Sequence, residues 1–365
     1  MSRVGLTSNL ETRPRVTVLM SVFNGGPFLA EAISSILGQT CTDFELLVVE
    51  DASTDRTPEI LSSIDDRRLR VLKNPANRGL TASLNRGLTE ARGEIIVRHD
   101  ADDRSHPERL AMQVRFLDDH PDVAVVGSQV MLIDRTGRRM GLCRQPRSAD
   151  STRFALMFCT PVVHGAVAFR RALVKDKLGG YDDSFRTSQD AELWSRVATH
   201  GEIRNLGESL LDLRIHRDSV SSTLYSRENV LRIEPVLRRN ILTCIGDSQL
   251  ADEWPALWNA IVNEGVAPFS PHPERAVWAV NRIRDAFFAS HPEGQGDRDI
   301  SYIYAMAQLR IASFLCRDNR RAAIRALRYA VGAAPWDTIH ALPRISARAV
   351  ARSRRSSRLE RSGRK

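Results

Sequence analysis

Cysteine is scarce in this 365-residue chain: Cys41, Cys143, Cys159, Cys244 and Cys316 are scattered, with no Cys-x-x-Cys pair. That spacing argues against a zinc site or a disulfide framework and fits a reducing compartment. No apolar run reaches the ~18 residues that a membrane helix needs; the nearest, Phe154 to Phe169, is interrupted by Pro161 and His164. The opening stretch MSRVGLTSNLETRPR lacks the apolar centre of a secretory signal. These absences lead to the expectation of a soluble, cytoplasmic protein. Acids are missing from one place in particular. Residues 344–365 carry eight arginines and one lysine against the single acid Glu360, so eight of the nine net positive charges sit there and the rest of the chain is near neutral. That segment has too few apolar residues for a core and reads as a disordered tail. Its charge suits the anionic inner face of the plasma membrane, as a peripheral contact. No nucleic acid is expected as a partner, because interleaved aromatics and a recognised binding motif are lacking.

What is present is ordinary for a globular protein, with 42% hydrophobic and 27% charged residues. The first half alternates strands and helices. Val16–Val22 is a continuous apolar strand of the kind buried on both faces of a parallel sheet. Helical spacing follows over 28–37, a strand over 44–49, a helix from about Thr54, a short strand over 69–72, a helix over 81–91, a strand over 95–97, a helix opened by Pro107 and a strand over 123–131. This order predicts a doubly wound, mostly parallel α/β sheet, with ligands at the carboxyl ends of its strands. From Arg153 the pattern is mixed: a strand at 165–170, a helix at 189–200 and two short strands at 203–206 and 210–215. Helices follow over about 226–245, 273–289, 301–316 and 320–332, with looser chain at 246–272 and 290–300. The expected organisation is an N-terminal tail (1–14), a catalytic domain (15–222), a helical C-terminal region (223–343) and the basic tail (344–365).

Asp100, Asp102 and Asp103 stand within four positions of one another, just past an apolar strand. Like charges this close repel, and hard carboxylate oxygens are what Mg²⁺ or Mn²⁺ binds, typically through one or two carboxylates plus substrate phosphates. A solvated acidic loop is the competing reading. The segments FNGG (23–26), EDAS (50–53) and DADD (100–103) all fall at strand ends and are expected to converge on one cleft.

The stretches VTVLMSVFNGGPFLAEAISSILGQTCTDFELLVVEDASTDRT (16–57), NRGLTASLNRGLTEARGEIIVRHDADD (77–103) and GGYDDSFRTSQDAELWSRVATHGEI (179–203) resemble glycosyltransferase family 2. The resemblance spans about residues 15 to 220. It implies a GT-A fold and metal-dependent, inverting transfer of one sugar from a nucleoside-diphosphate sugar to a hydroxyl acceptor. It places Ser21, Phe23, Asn24, Asp51, Arg78 and Asp100 at the nucleotide, and Asp102, Asp100 and His216 at a divalent cation. Asp190, in SQDAELW, matches the family's general base, though Gln189 stands where an acid is frequent. His164 and Trp194 are assigned to the acceptor side, with Trp194 packing beneath. The expected donor is a UDP-sugar ahead of a dTDP- or GDP-sugar. The expected acceptor is a glycan or lipid-linked sugar of the cell envelope. No Gln-x-x-Arg-Trp follows Asp190 and no membrane helices are seen, which favours single-sugar transfer over a processive synthase. A nucleotide-binding oxidoreductase is disfavoured, since SVFNGG lacks Gly-x-Gly-x-x-Gly spacing. A non-catalytic adaptor working through the basic tail is the other alternative.

Overall fold

The computed structural model of the chain describes residues 13–216, 227–262, 274–315 and 319–334. The basic segment 344–365 and the expected boundary at 222/223 lie outside the described residues.

Strands β1 (Val16–Val22), β2 (Phe44–Glu50), β3 (Leu69–Lys73) and β4 (Ile95–Arg98) form one half of the sheet, in the order β3-β2-β1-β4 and all parallel. Strand β8 (Ala168–Arg170) runs antiparallel between β4 and β6 (Val123–Ile133), and β9 (Glu202–Arg214) returns parallel to β6. Short strands β5 (Arg104–Ser105) and β7 (Arg139–Cys143) pair antiparallel to β9 and β6. The apolar runs of β1 and β2 are buried on both faces, as a doubly wound sheet requires. One face is covered by α1 (Leu29–Leu37), α2 (Thr57–Ser62) and α4 (Arg109–Asp119), the other by α3 (Leu80–Glu90) and α6 (Gln189–Val197).

Three departures from the sequence expectation have a clear physical reason. The two strands expected at 203–206 and 210–215 are one strand, β9. Its ladder with β6 shifts register between Gly127 and Gln129, so the alternation breaks while the pairing continues. Helix α5 (Ala149–Leu156) is set by a capping box, with Ser148 accepting from the Ser151 N–H and Ser151 answering at Ser148. Helix α8 (Ser248–Val262) fills chain expected to be loose. Pro255 sits inside it, and burial of Trp254, Leu257, Trp258 and Ile261 outweighs the hydrogen bond that proline cannot donate.

Helices α7 (Arg227–Ile245), α8, α9 (Arg275–Ser290), α10 (Arg298–Leu315) and α11 (Arg320–Ala333) share a core with α5. The carbonyls at and just past the α5 terminus, which lack helical partners, are taken by this bundle: Asn240 Nδ2 donates to Leu156 O (2.8 Å), Trp254 Nε1 to Met157 O (2.7 Å) and Trp258 Nε1 to Phe158 O (2.6 Å). Among the described residues no helix is long and apolar enough to cross a membrane.

Candidate active site

The loops leaving β1, β2 and β4 meet at the carboxyl end of the sheet. The β1 and β2 loops are stitched together by backbone donors. Asn24 N donates to Ser53 Oγ (3.0 Å), Asn24 Oδ1 accepts from Thr54 N (2.8 Å), and Gly26 N donates to Asp55 Oδ2 (2.9 Å). Asn24 adopts φ +54° and Ala52 φ +59°; the only other non-glycine residue with positive φ among the described residues is Ser188, at +58°, just before α6. Each such conformation costs on the order of 1–3 kcal/mol and persists only where the surroundings enforce it. All three lie in the loops that carry the candidate residues. Phe23 stands at their rim with its ring half exposed (49%), open for a planar group to pack on. Ser21, paired in register with Val49, lies at the last turn of pleat below it.

Asp51 is buried, and its carboxylate accepts from Asn74 Nδ2, Arg78 N (2.9 Å) and Gly79 N (2.9 Å). It clamps the 74–79 segment onto β2, and a contact with a base draws only on the acceptor direction left over. The Arg78 side chain is exposed. Asn85, on α3, holds the 181–183 loop: it donates to Tyr181 O and Asp183 Oδ1 (2.9 Å each) and accepts from Tyr181 N (2.8 Å).

The acidic loop is held from three sides. Asp102 Oδ2 lies 2.9 Å from His216 Nε2. Asp103 is buried and accepts from Arg214 N (2.9 Å), while Arg214 Nε donates to Asp102 O. Asp100 pairs with Arg98. Gly165 lets the loop close in: a Cβ there would stand 2.7 Å from Asp100 Oδ2 and 3.0 Å from Asp103 Oδ2. Burial and the neighbouring Asp100 charge hold Asp102 above the usual carboxylate range, with His216 pulling it back. Burial, then Asp100 and Asp102, push Asp103 well above it.

Asp190 occupies the first turn of α6. Burial raises it above an ordinary aspartate, Arg98 lowers it and Asp100 raises it, so the three side chains share one electrostatic environment. Glu192 is excluded as a base because it is buried and consumed by Arg196 (2.7 Å) and Arg239 (3.1 Å). His164 Nε2 shares a hydrogen bond with the Tyr181 hydroxyl (2.8 Å). Burial and the Arg98 charge hold His164 well below the usual imidazole range. Trp194 is fully buried, with its ring centroid 6.1 Å from that of His164. Assignment of Trp194 to direct acceptor contact is thereby corrected: no surface is left to touch, and it supports His164 from below.

Arg98 is the residue that the sequence reading passed over. It is 1% exposed, pairs with Asp100, and its Nε has no hydrogen-bond partner. Its charge acts on Asp100, Asp103 and Tyr181 as well as on His164 and Asp190. The signal was available: an arginine ending the apolar run Ile95–Val97 at a buried strand position is almost never found without a partner. Among the described residues no group of three or more His, Cys, Asp and Glu side chains is arranged to hold a metal. Asp102 and His216 do meet; Asp100, expected beside them, turns to Arg98.

With that geometry in place, four similarities bear on it. A sequence profile described as Glycosyl transferase family 2 matches residues 17–178. The putative glycosyltransferase EpsE of Bacillus subtilis is 35% identical over 238 residues, 63% of this chain and 84% of that protein. An Escherichia coli UDP-Gal:alpha-D-GlcNAc-diphosphoundecaprenol beta-1,3-galactosyltransferase is 28% identical over 213 residues, 56% of this chain and 76% of that one. The crystal structure of S. aureus TarS 1–349 in complex with UDP-GlcNAc superposes with a TM-score of 0.56 at 18% identity, covering 87% of this chain and 90% of that one.

Proposed function

The chain belongs to glycosyltransferase family 2, and we propose that it moves one sugar from a UDP-sugar to a hydroxyl of a lipid-linked or glycan acceptor of the cell envelope, with inversion. A dTDP- or GDP-sugar is the less favoured donor. What supports this reading is the packing of the acidic loop against the 164–165 turn: a Cβ on Gly165 would stand 2.7 Å from Asp100 Oδ2, and His164 beside it bonds Tyr181 and packs on Trp194 of α6, the helix whose first turn holds Asp190. In this reading Asp190 is the proton acceptor that faces the acidic loop.

In this reading the nucleoside packs against Phe23, beside the loops that Asn24 and Asp51 fix, with Arg78 and Asp100 at its edge. The acceptor hydroxyl approaches Asp190, next to His164. As the acceptor oxygen bonds the anomeric carbon, its proton passes to Asp190. The carbon–oxygen bond to the diphosphate breaks on the opposite face, and the nucleoside diphosphate leaves with the electron pair. Desolvation suits Asp190 to hold a proton near neutral pH better than an ordinary aspartate does. A divalent cation would be held by Asp102 and His216, a carboxylate and an imidazole that lie 2.9 Å apart. A cation held there would offset the charge that develops on the departing diphosphate. The basic segment 344–365 adds affinity for an anionic membrane surface, about 1 kcal/mol per basic residue near it.

Donor hydrolysis and transfer across a panel of UDP-, dTDP- and GDP-sugars test the reading. UDP release is expected with Mn²⁺ or Mg²⁺ and is lost on chelation. Asp102→Asn is expected to weaken metal-dependent donor binding. Retention of full activity after chelation would remove the cation from the proposal, and the absence of diphosphate release from every donor would remove the reaction.

The pH dependence has a defined sign. Asp190 must be ionised to accept a proton, and its folded value is raised above the ordinary 3.8. The acidic limb of kcat/KM is therefore expected at a higher pH than an unperturbed aspartate gives, with activity present above the limb and lost below it. A limb at or below the ordinary value would show that another group accepts the proton.

A further inference from the structure

Away from the catalytic cleft, a cavity of about 670 Å³ opens between the catalytic sheet and the helical bundle. Its size falls within the usual range for small-molecule sites. Strand β7, the chain that follows it and the end of α5 form one side; α8 and α10 form the other. Phe158, Trp258 and Met306 give it an apolar lining, and four arginines stand around it: Arg144, Arg147, Arg298 and Arg310.

The hydrogen-bonding groups of the lining narrow the class of ligand. A site for a neutral sugar needs carboxylates or amides to bond its hydroxyls. The one acid here, Asp299, accepts from Arg147 N (3.0 Å) and pairs with the Arg147 guanidinium (3.6 Å). The two glutamines are spent on backbone and on a cysteine. Gln129 donates to Gln145 O and Leu206 O and accepts from Gln145 N, while Gln145 Nε2 bonds Cys143 Sγ. Arg298 and Arg310 make no ion pair among the described residues, and both are exposed. What the cavity offers is positive charge beside apolar surface. A single small anion would leave the apolar lining unused, and an uncharged chain would leave the guanidiniums unused.

We propose that this cavity is a second binding site, for a phosphate-bearing lipid whose headgroup meets Arg298 and Arg310 and whose chain lies along Phe158, Trp258 and Met306. The inference goes beyond the transfer reaction and does not rest on it. Thr160 stands at the edge of the cavity, and the chain runs directly from there to His164 of the cleft. Occupancy of one site is thus in covalent reach of the other.

Cys159 lines the cavity, is exposed, and reports on it. The experiment uses the full chain and reads maleimide alkylation of Cys159 by peptide mass spectrometry. The probes are a short-chain polyprenyl monophosphate below its micelle concentration, the matching alcohol, and inorganic phosphate. At about ten times its dissociation constant the polyprenyl phosphate is expected to slow alkylation about tenfold. The alcohol and inorganic phosphate at equal concentration are expected to leave the rate unchanged. The double variant Arg298→Gln/Arg310→Gln is expected to lose the protection with an unchanged circular dichroism spectrum, and lysine at both positions to restore it. Absence of protection overturns the proposal. Equal protection by the alcohol would mean a merely apolar cavity, and equal protection by inorganic phosphate an anion site with no place for a lipid; either result also overturns it. No arm reads sugar transfer, so this site and the catalytic reading fail separately.

Discussion

Asp190→Asn is expected to lower kcat by about 10²–10⁴-fold while leaving donor affinity unchanged, the size of effect that a positioned general base supplies. The substitution is nearly isosteric. Asparagine keeps the size and polarity of the side chain in the first turn of α6. What the amide lacks is the capacity to accept a proton at neutral pH. This separates catalysis from the competing explanation of the same residue, a carboxylate that merely finishes the first turn of a helix. If Asp190 only serves the helix end, asparagine, a good residue for such termini, retains activity. Single-turnover transfer and donor titration on the same preparation read the two properties apart. Wild-type transfer by Asp190→Asn would eliminate the assignment, and no neighbour is ready to replace it, since Glu192 is committed to Arg196 and Arg239.

The parts of this architecture written in local pattern were legible in the sequence. The uninterrupted apolar runs of β1 and β2 announce strands covered on both faces, and the segments that follow them do meet at one end of the sheet. What depends on distant partners was not legible. Asp51 was expected at the nucleotide, but most of its acceptor capacity goes to backbone from Arg78 and Gly79, a helix and a strand further along. Asn85 lies on a helix face that happens to meet the 181–183 loop. Pro255 disguised α8, because the burial that overrides the proline comes from other helices. Trp194 was expected on the acceptor side but packing beneath it, and its ring is fully buried. Arg98 is a different case: burial of the strand around it was expected, and a cation at its end already implied a partner.

Arg98→Met is the second large effect. The methionine keeps roughly the length of the side chain and removes the charge from a fully buried site. Removing one member of a buried pair costs about 3–5 kcal/mol. The low end is expected here, because Asp100 is about a third open to water (34%) and part of its charge stays solvated. The activity consequence runs in the same direction. Arg98 lowers Asp190, so its loss raises Asp190 further, and the acidic limb of kcat/KM moves up in pH beyond its wild-type position. Arg98→Lys restores a charge without the planar fork, so the limb is expected to return toward wild type while stability recovers only in part. Urea midpoints at constant slope read the first effect, and pH–rate profiles read the second. A double variant, Arg98→Met/Asp100→Asn, is expected to regain part of the lost stability, because the carboxylate stranded by the first change is gone. If Arg98→Met unfolds with the wild-type midpoint and titrates with the wild-type limb, the buried arginine does not govern the charge balance between the acidic loop and Asp190.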